Sequence, residues 1–142
     1  MTVKQLSVFI ENRRGRLGEV LHVLKENNVS ILSMSLADTS EFGLLRLITN
    51  DPDKGCDVLN KLGFSGTVTN VFIIKLPHVA GALQNILEII AENDIDIEYA
   101  YGMSVEATDA TIVVKTSQIE KAEKVLEENG IDTMSPEELK AL

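Results

Sequence analysis

An internal repeat constrains this sequence of 142 residues more than any other feature. The segment 15–31 returns as 81–97, at a constant spacing and without a gap. The matched positions are Gly15 with Gly81, Leu17 with Leu83, Val20 with Ile86, Leu21 with Leu87, Leu24 with Ile90, Glu26-Asn27 with Glu92-Asn93, and Val29-x-Ile31 with Ile95-x-Ile97. Chance seldom keeps register over such a window, so we infer a duplicated unit.

Apolar spacing within the repeat predicts an amphipathic helix. Leu17, Val20, Leu21 and Leu24 occupy positions i, i+3, i+4 and i+7, which lie along one face of a helix. A run of alternating apolar residues precedes it at 3–10, which is typical of a strand with one buried face. The repeat therefore begins as a strand, a glycine-containing loop and a helix.

The same reasoning along the chain predicts two units, 1–69 and 70–142, each with the order strand, helix, strand, strand, helix, strand. The predicted strands are 3–10, 29–36, 44–49, 64–68, 71–76, 95–101, 110–116 and 131–134, the helices 16–28, 52–62, 82–93 and 118–129, and the turns 38–43 and 105–109. Ser117 and Ser135 are predicted helix caps, since each precedes an acidic residue at capping distance. Cys56, Leu59 and Leu62 are the predicted buried side of the helix 52–62.

This order predicts an α+β fold of two tandem ferredoxin-like βαββαβ units, antiparallel sheets with both helices on one face. No linker rich in Pro, Gly or Ser separates the units, so we expect them to be docked together. Exposed sheet edges invite pairing, which favours a homodimer.

Composition excludes several classes of function. A formal net charge of −9 argues against nucleic acid or a membrane surface as partner. The single cysteine, Cys56, fits a reducing cytoplasm, and no apolar run or leader suggests a membrane or an export signal. Two histidines without other ligands at metal-binding spacing argue against a metal site. We see no catalytic acid–base pair or nucleophile, and no cofactor motif.

A family resemblance rests on the two loops. The sequence Asn12-Arg13-Arg14-Gly15-Arg16-Leu17, followed by an apolar helix and Val29-Ser30-Ile31, resembles an ACT domain. The segments Pro77-His78-Val79-Ala80-Gly81-Ala82-Leu83 and Asp96-Ile97-Glu98-Tyr99 resemble the second half of tandem ACT proteins, so the resemblance covers the whole chain. It implies regulatory amino-acid binding without chemistry, at the loop between the first strand and helix, often across an interface between units. Arg14 stands where the family usually has Pro, Ser30 and Asp96 where it has Asn, and His78-Val79-Ala80 where it has Asp-Arg-Pro.

Physical chemistry supports an anion site at the first loop. Free N–H groups at a helix N-terminus attract carboxylates, and a preceding glycine permits close approach of a ligand. Arg13, Arg14 and Arg16 are three of the four arginines in the chain, whereas the second loop has only His78 as a cation at low pH. We therefore expect the first loop to be the stronger anion site. In the opposing interpretation, the glycines are turn residues and the arginines are solvated surface.

We expect the ligand's ammonium group to be bound by Asn12, Asp96 or main-chain oxygens, and its side chain to lie against the second strand. The complete set of predicted ligand-binding residues is Asn12, Arg13, Arg14, Gly15, Arg16, Leu17, Ser30, Ile31, His78, Val79, Ala80, Gly81, Ala82, Leu83, Asp96, Ile97 and Tyr99. Whether Tyr99 and Tyr101 face the helices or the opposite side is left open by the sequence.

The sequence thus predicts a non-catalytic regulator or sensor that binds a small amino acid at the loops and at the interface of the units. One alternative is a protein–protein interaction module with no small ligand. A second is a small enzyme of unknown chemistry. A thermal-shift screen against the twenty amino acids separates the first two, because a ligand that binds only the folded state raises the melting temperature.

Overall fold

A computed structural model describes residues 1–38, 41–103 and 110–142. The backbone divides into two compact units, 4–69 and 70–141, with residues 1–3 grouped with the second and Leu142 with the first. Part of the predicted turn at 38–43, and all of the predicted turn at 105–109, lie outside the described residues.

The first unit has one antiparallel sheet with two helices on one face, as predicted. Its elements are β1 (Val3–Glu11), α1 (Arg16–Glu26), β2 (Ile31–Asp38), β3 (Phe42–Thr49) and α2 (Pro52–Lys61). Both β1 and β2 pair antiparallel with β3. The core lies between sheet and helices and consists of Leu6, Val8, Ile10, Val20, Leu24, Val29, Leu45, Leu47, Leu59 and Phe64.

The second unit repeats this arrangement. Its elements are β4 (Ser65–Leu76), whose second half lies in this unit, then α3 (Ala82–Glu92), β5 (Tyr99–Met103), β6 (Ala110–Lys115), α4 (Ile119–Glu128) and α5 (Pro136–Lys140). Both β4 and β5 pair antiparallel with β6. The core consists of Phe72, Ile74, Leu76, Ile86, Ile90, Ile95, Ile112, Val114, Ala122, Val125 and Leu126.

The repeat is visible in the backbone as well as in the sequence. Gly15 and Gly81 precede α1 and α3 with φ of 84° and 86°, a left-handed conformation that glycine adopts without steric cost. After the helices, Asn28 and Asp94 have φ of 57° and 58°. The same left-handed residues therefore occur before and after the first helix of each unit, which supports the inferred duplication.

The strands β2 and β5 begin later than predicted, at 31 and 99 instead of 29 and 95. The N–H of Val29 donates to the Leu24 carbonyl at 2.9 Å, and the N–H of Ile95 to the Ile90 carbonyl at 3.2 Å. These residues are therefore part of the helix exit, where a left-handed residue lets the next N–H return to the last turn.

Other predicted boundaries also change. The strands predicted at 64–68 and 71–76 are one strand, β4, because β-branched residues at 67–69 and 71 continue it without Gly or Pro. The segment 131–134 contributes only a bridge between Ile74 and Thr133. Leu62, predicted to be buried, is 62% exposed at the end of α2, and Cys56 is only half-buried.

The two predicted caps differ in outcome. Ser135 accepts the Glu138 N–H at 3.1 Å and caps α5, as predicted. Ser117 does not cap α4, which starts after Gln118. The amide of Gln118 instead accepts the Asp96 N–H at 2.9 Å and donates to the Asp94 carbonyl at 3.1 Å. The Gln118 side chain thus binds the backbone of the segment that follows α3.

The strand register settles which face carries the tyrosines. Tyr101 pairs with Val113, whereas the neighbouring residues Ile112 and Val114 belong to the core under the helices. Tyr99 and Tyr101 therefore lie on the sheet face away from α3 and α4, with ring centroids 6.4 Å apart and planes inclined by 14°.

Candidate functional site

The first loop, residues 12–15, connects β1 to the start of α1. Arg13 N–H donates to the Glu11 carbonyl at 2.8 Å, and Asn12 N–H to the Glu41 carbonyl at 3.1 Å. Gly15 then turns the chain into α1, whose N-terminus has no side-chain cap. The loop thus places its side chains beside a helix N-terminus of partial positive charge.

Carboxylates already neutralise part of the positive charge that the sequence predicts here. The Arg13 guanidinium lies 3.1 Å from a Glu11 oxygen and 3.6 Å from a Glu19 oxygen. Arg16 lies 2.7 Å from the other Glu19 oxygen. The hydrogen bond from Arg16, aided by the charge of Arg13, lowers the pKa of the Glu19 carboxyl. The loop is therefore a mixed-charge cluster, and its attraction for a simple anion is weaker than three free arginines would give.

Arg16 and Arg14 differ in their surroundings. The guanidinium of Arg16 lies 4.0 Å from the centroid of the Phe64 ring, a cation–π contact, and only 19% of its side chain is exposed. Arg16 is thereby fixed to the core of the first unit. Arg14 is exposed, and no ion pair involves it within the described parts of the chain.

A small cavity of about 180 Å³ lies beside the first loop. Its lining residues are Ile10, Glu11, Asn12, Arg13, Leu17, Leu36, Asp38 and Gly43. The cavity combines one guanidinium, two carboxylates and an amide with aliphatic side chains. Such a set can bind a carboxylate, an ammonium group and a small apolar side chain at the same time.

Sequence reasoning expected the ligand's side chain to lie against the second strand, but it did not single out Leu36 and Asp38 of β2, and it missed Gly43 of β3. Leu36 and Asp38 alternate along the end of β2, and Asp38 pairs with Gly43 at the start of β3. The sequence does indicate the position of Asp38, because the alternation that places Leu36 on the helix side of the sheet places Asp38 there too.

The second loop, residues 78–81, lies beside a larger and more apolar cavity of about 840 Å³. Its lining residues are Leu76, Pro77, His78, Val79, Gly81, Ala82, Leu83, Gln84, Leu87, Glu88, Ala91 and Ala110. His78 and Glu88 are the titratable residues among them. The two loops thus share a backbone and differ in chemistry, as the sequence predicted; their relative affinity for an anion stays a prediction.

Several predicted site residues lie away from both cavities. Ser30 N–H donates to Asn50 at 2.8 Å, and Ile31 starts β2, about 23 Å of strand from Asp38. Ile97 packs partly against the second core, and Tyr99 stacks on Tyr101. Asp96 and Ala80 do not line either cavity. The start of the second strand is therefore not brought together with the loop of its unit.

The described ranges contain no group of three His, Cys, Asp or Glu residues placed to hold a metal ion. Within the same ranges, no helix has the length and apolar character needed to cross a bilayer.

Comparison with known proteins places these features in a family. The family model described as "ACT domain pair" matches residues 1–142. The crystal structure of protein BT0572 from Bacteroides thetaiotaomicron is 36% identical, with a TM-score of 0.93 over 100% of this chain and 98% of that one. No curated protein matches the sequence.

Two more distant structures share the fold. The ligand-free regulatory subunit of aspartate kinase from Thermus thermophilus is 10% identical, with a TM-score of 0.61 over 88% of this chain and 91% of that chain. Aspartokinase III from E. coli, in complex with lysine and aspartate, is 15% identical, with a TM-score of 0.54 over 90% of this chain and 31% of that chain.

Proposed function

The chain belongs to the ACT domain pair family, and we propose that it is a regulatory protein that binds a small amino acid in the cavity beside its first loop. The family match and the aspartate kinase regulatory subunit among similar structures indicate a regulatory, ligand-sensing role. The fold match to aspartokinase III, which is described with lysine and aspartate, is consistent with an amino acid as ligand. The proposal assigns no catalytic step to the chain.

The proposal rests on the presence of both positive and negative side chains around the cavity. The guanidinium of Arg13 can bind the ligand's carboxylate, and the carboxylates of Glu11 and Asp38 can bind its ammonium group. A simple anion would meet those carboxylates, and a simple cation would meet Arg13, so both are disfavoured. An amino acid is a zwitterion, so its carboxylate can pair with the guanidinium and its ammonium group with the carboxylates.

The size of the cavity limits the ligand. A volume of about 180 Å³ lies below the range of drug-sized pockets, so it suits a small ligand. The aliphatic side chains of Ile10, Leu17 and Leu36 favour a small apolar or weakly polar side chain on that ligand. Small neutral amino acids fit these limits better than acidic, basic or aromatic ones.

The first experiment is a thermal-shift screen of the twenty amino acids with the full chain. We expect small neutral amino acids to raise the melting temperature most, because ligand binding to the folded state adds stability by mass action. No shift with any amino acid would contradict the proposal and favour the alternative of an interaction module without a small ligand.

The second experiment is calorimetric titration of the best amino acid into three variants. Arg13→Ala and Asp38→Asn each remove one charge-assisted bond, worth roughly 1.5–3 kcal/mol, so we expect the dissociation constant to rise about ten- to a hundredfold. Arg14→Ala is the matched control, since Arg14 is exposed and does not line the cavity. We expect the control to bind as the wild type does.

A fourth variant tests the second loop. His78→Ala removes the one side chain there that can become cationic, and we expect binding to be unchanged. If His78→Ala loses binding while Arg13→Ala and Asp38→Asn keep it, the second loop is the binding site and our ranking of the loops is wrong.

A further inference from the structure

The two units differ in what lies on the outer face of their sheets, which is the face opposite α1 and α2 in the first unit and opposite α3 and α4 in the second. Phe72, Ile74 and Leu76 belong to the core under the helices. Since side chains alternate along a strand, Ile73 and Lys75 lie on the outer face of β4. The outer face is buried at Ile73 and half-buried at Lys75.

The second unit covers this part of its outer face with its own C-terminal segment. The N–H of Met134 donates to the Ile73 carbonyl at 2.8 Å, so Met134 is the neighbour of Ile73 in the sheet and shares its outer face. Met134 and Leu139 are both buried, and Glu138 of α5 accepts a hydrogen bond from Lys75. The covering segment therefore combines apolar side chains with a carboxylate that meets a basic residue of the sheet.

The first unit has no helix of its own on the matching face, within the part of the chain that the structure describes. Phe9 stands at the position that matches Lys75 in the repeat. It pairs with Leu44, and Phe42 pairs with Glu11 at the next outward-facing position. Phe9 is 55% exposed and Phe42 is 52% exposed.

These side chains form one continuous surface, hereafter the outer patch, which consists of Phe9, Ala37, Phe42 and Leu44. Ala37 pairs with Leu44 from the other side of β3. Directly paired residues have Cβ atoms about 4.5–5.5 Å apart, and diagonal neighbours such as Phe9 and Phe42 are about 7–8 Å apart. Exposed apolar residues that are contiguous in this way indicate an interaction surface, whereas scattered ones do not.

The charges beside the outer patch indicate what covers it. Arg46 follows Leu44 by two residues on β3 and pairs with Ser7, so it lies on the same face. The acidic residue on that face of β1, Glu11, is already bound by Arg13 at 3.1 Å. A partner that brings a carboxylate is therefore favoured over one that brings a cation. The net charge of −9 disfavours nucleic acid and anionic lipid as the occupant.

We propose that the outer patch is a docking site for an amphipathic helical segment of another protein, which presents apolar side chains to Phe9 and Phe42 and a carboxylate to Arg46. The segment α5 is the internal example of such an occupant, since it brings Leu139 and Glu138 to the outer face of the second unit. Aromatic residues and arginine are the residue types that protein interfaces favour.

The outer patch is separate from the cavity to which we assign amino-acid binding. Leu36 and Asp38 line that cavity from the helix side of the sheet, and the outer patch is on the other side. The docking proposal therefore does not depend on amino-acid binding. A regulator built in this way contacts its target on one face of the sheet and its ligand on the other.

Selection from a phage-displayed library of random peptides, with the full chain as bait, tests the proposal. We expect the enriched peptides to have apolar residues at helical spacing together with Asp or Glu, and fluorescence anisotropy then measures their affinity. Phe9→Ser should raise the dissociation constant about tenfold or more, because it removes an aromatic anchor. The matched control is Leu62→Ser, which replaces an exposed leucine at the end of α2 and should bind as the wild type does.

A charge reversal tests the assigned contact with a carboxylate. Arg46→Glu should weaken binding of the acidic peptides about tenfold or more, because like charges then face each other. Arg14→Glu makes the same charge change at an exposed arginine outside the outer patch and should have little effect. Circular dichroism of each variant shows that it is folded.

Three results would overturn the proposal. The first is a selection that enriches no peptide, or only peptides without acidic residues. The second is binding that survives both Phe9→Ser and Arg46→Glu, which places the peptide elsewhere on the chain. The third is self-association of the wild type in sedimentation equilibrium that Phe9→Ser abolishes, since a second copy would then cover the outer patch.

Discussion

Two glycines within helices show how strongly the surroundings of a residue determine whether a side chain can be added there. Gly55 lies in α2, where an added Cβ would be 3.1 Å from a methyl carbon of Leu6 and 3.3 Å from one of Leu24. Gly18 lies in α1, where an added Cβ would meet no atom within 4 Å. Gly55 therefore permits close packing of α2 on the first core, and Gly18 has no such role.

We expect Gly55→Val to destabilise the protein by about 1–3 kcal/mol, since the larger side chain forces the core apart. Gly18→Val should change the free energy of unfolding by less than about 0.5 kcal/mol, because the side chain points into open space. Urea denaturation measures both. Equal stabilities for the two variants would contradict the close packing at Gly55.

The charges around the first loop were only partly predictable. The sequence shows three arginines next to a helix start, which indicated an anion site. It also shows Glu19 three residues after Arg16, the spacing of a helical ion pair, and Glu11 two residues before Arg13. The pairing with Glu19 could have been inferred from that spacing, whereas the stacking of Arg16 on Phe64 joins residues far apart in sequence and required the fold.

At the scale of elements, α5 is held to the sheet by a lysine. The ammonium group of Lys75 on β4 lies 2.5 Å from a Glu138 oxygen and 3.5 Å from an Asp132 oxygen. The hydrogen bond to Glu138 raises the pKa of Lys75, and the charge of Asp132 adds to this. The same bond lowers the pKa of Glu138.

This pair predicts a pH dependence of stability. A lowered carboxyl pKa stabilises the fold above the ordinary glutamate range, and that contribution is lost as the pH falls through the lowered pKa. A raised lysine pKa stabilises it below the ordinary lysine range, and that contribution is lost as the pH rises through the raised pKa. The benefit of the pair is therefore greatest between these two limits.

The measurement is the melting temperature of the wild type and Glu138→Gln over a pH series. We expect the gap between them to be widest near neutral pH and to close in acid. Glu137→Gln on the same helix is the control, since Glu137 makes no ion pair within the described residues. A gap of constant size at every pH would contradict the assigned role of the pair.

Element order, the antiparallel sheets and the placement of the helices on one face were predictable, because apolar periodicity and glycine positions fix them locally. The starts of β2 and β5 were not. Val29 and Ile95 have strand-forming side chains, yet their N–H groups bond back to the preceding helix. Likewise Gln118, and not Ser117, precedes α4, because its side chain is bound to the exit of α3. The starts of β2 and β5 are decided by hydrogen bonds that span five residues, and the start of α4 by a side chain bound to a segment 22 residues away. Apolar periodicity displays neither kind of bond.

At the scale of the whole molecule, the two copies of one motif have diverged as complete sets. Glu11, Arg13 and Glu19 in the first unit correspond to Pro77, Val79 and Asn85 in the second. All three charged residues of the first loop region are thus matched by uncharged residues in the second, so the two loop regions differ in the groups that they can attract. We have assigned ligand binding to the charged one.

The stacked tyrosines on β5 determine which part of this protein can be followed by absorbance and fluorescence. The chain has no tryptophan, and Tyr99 and Tyr101 are its only tyrosines. Intrinsic fluorescence and near-ultraviolet absorbance above the phenylalanine range therefore originate entirely in the second unit. A ligand that enters the cavity of the first unit will be optically silent unless a chromophore is introduced beside that cavity.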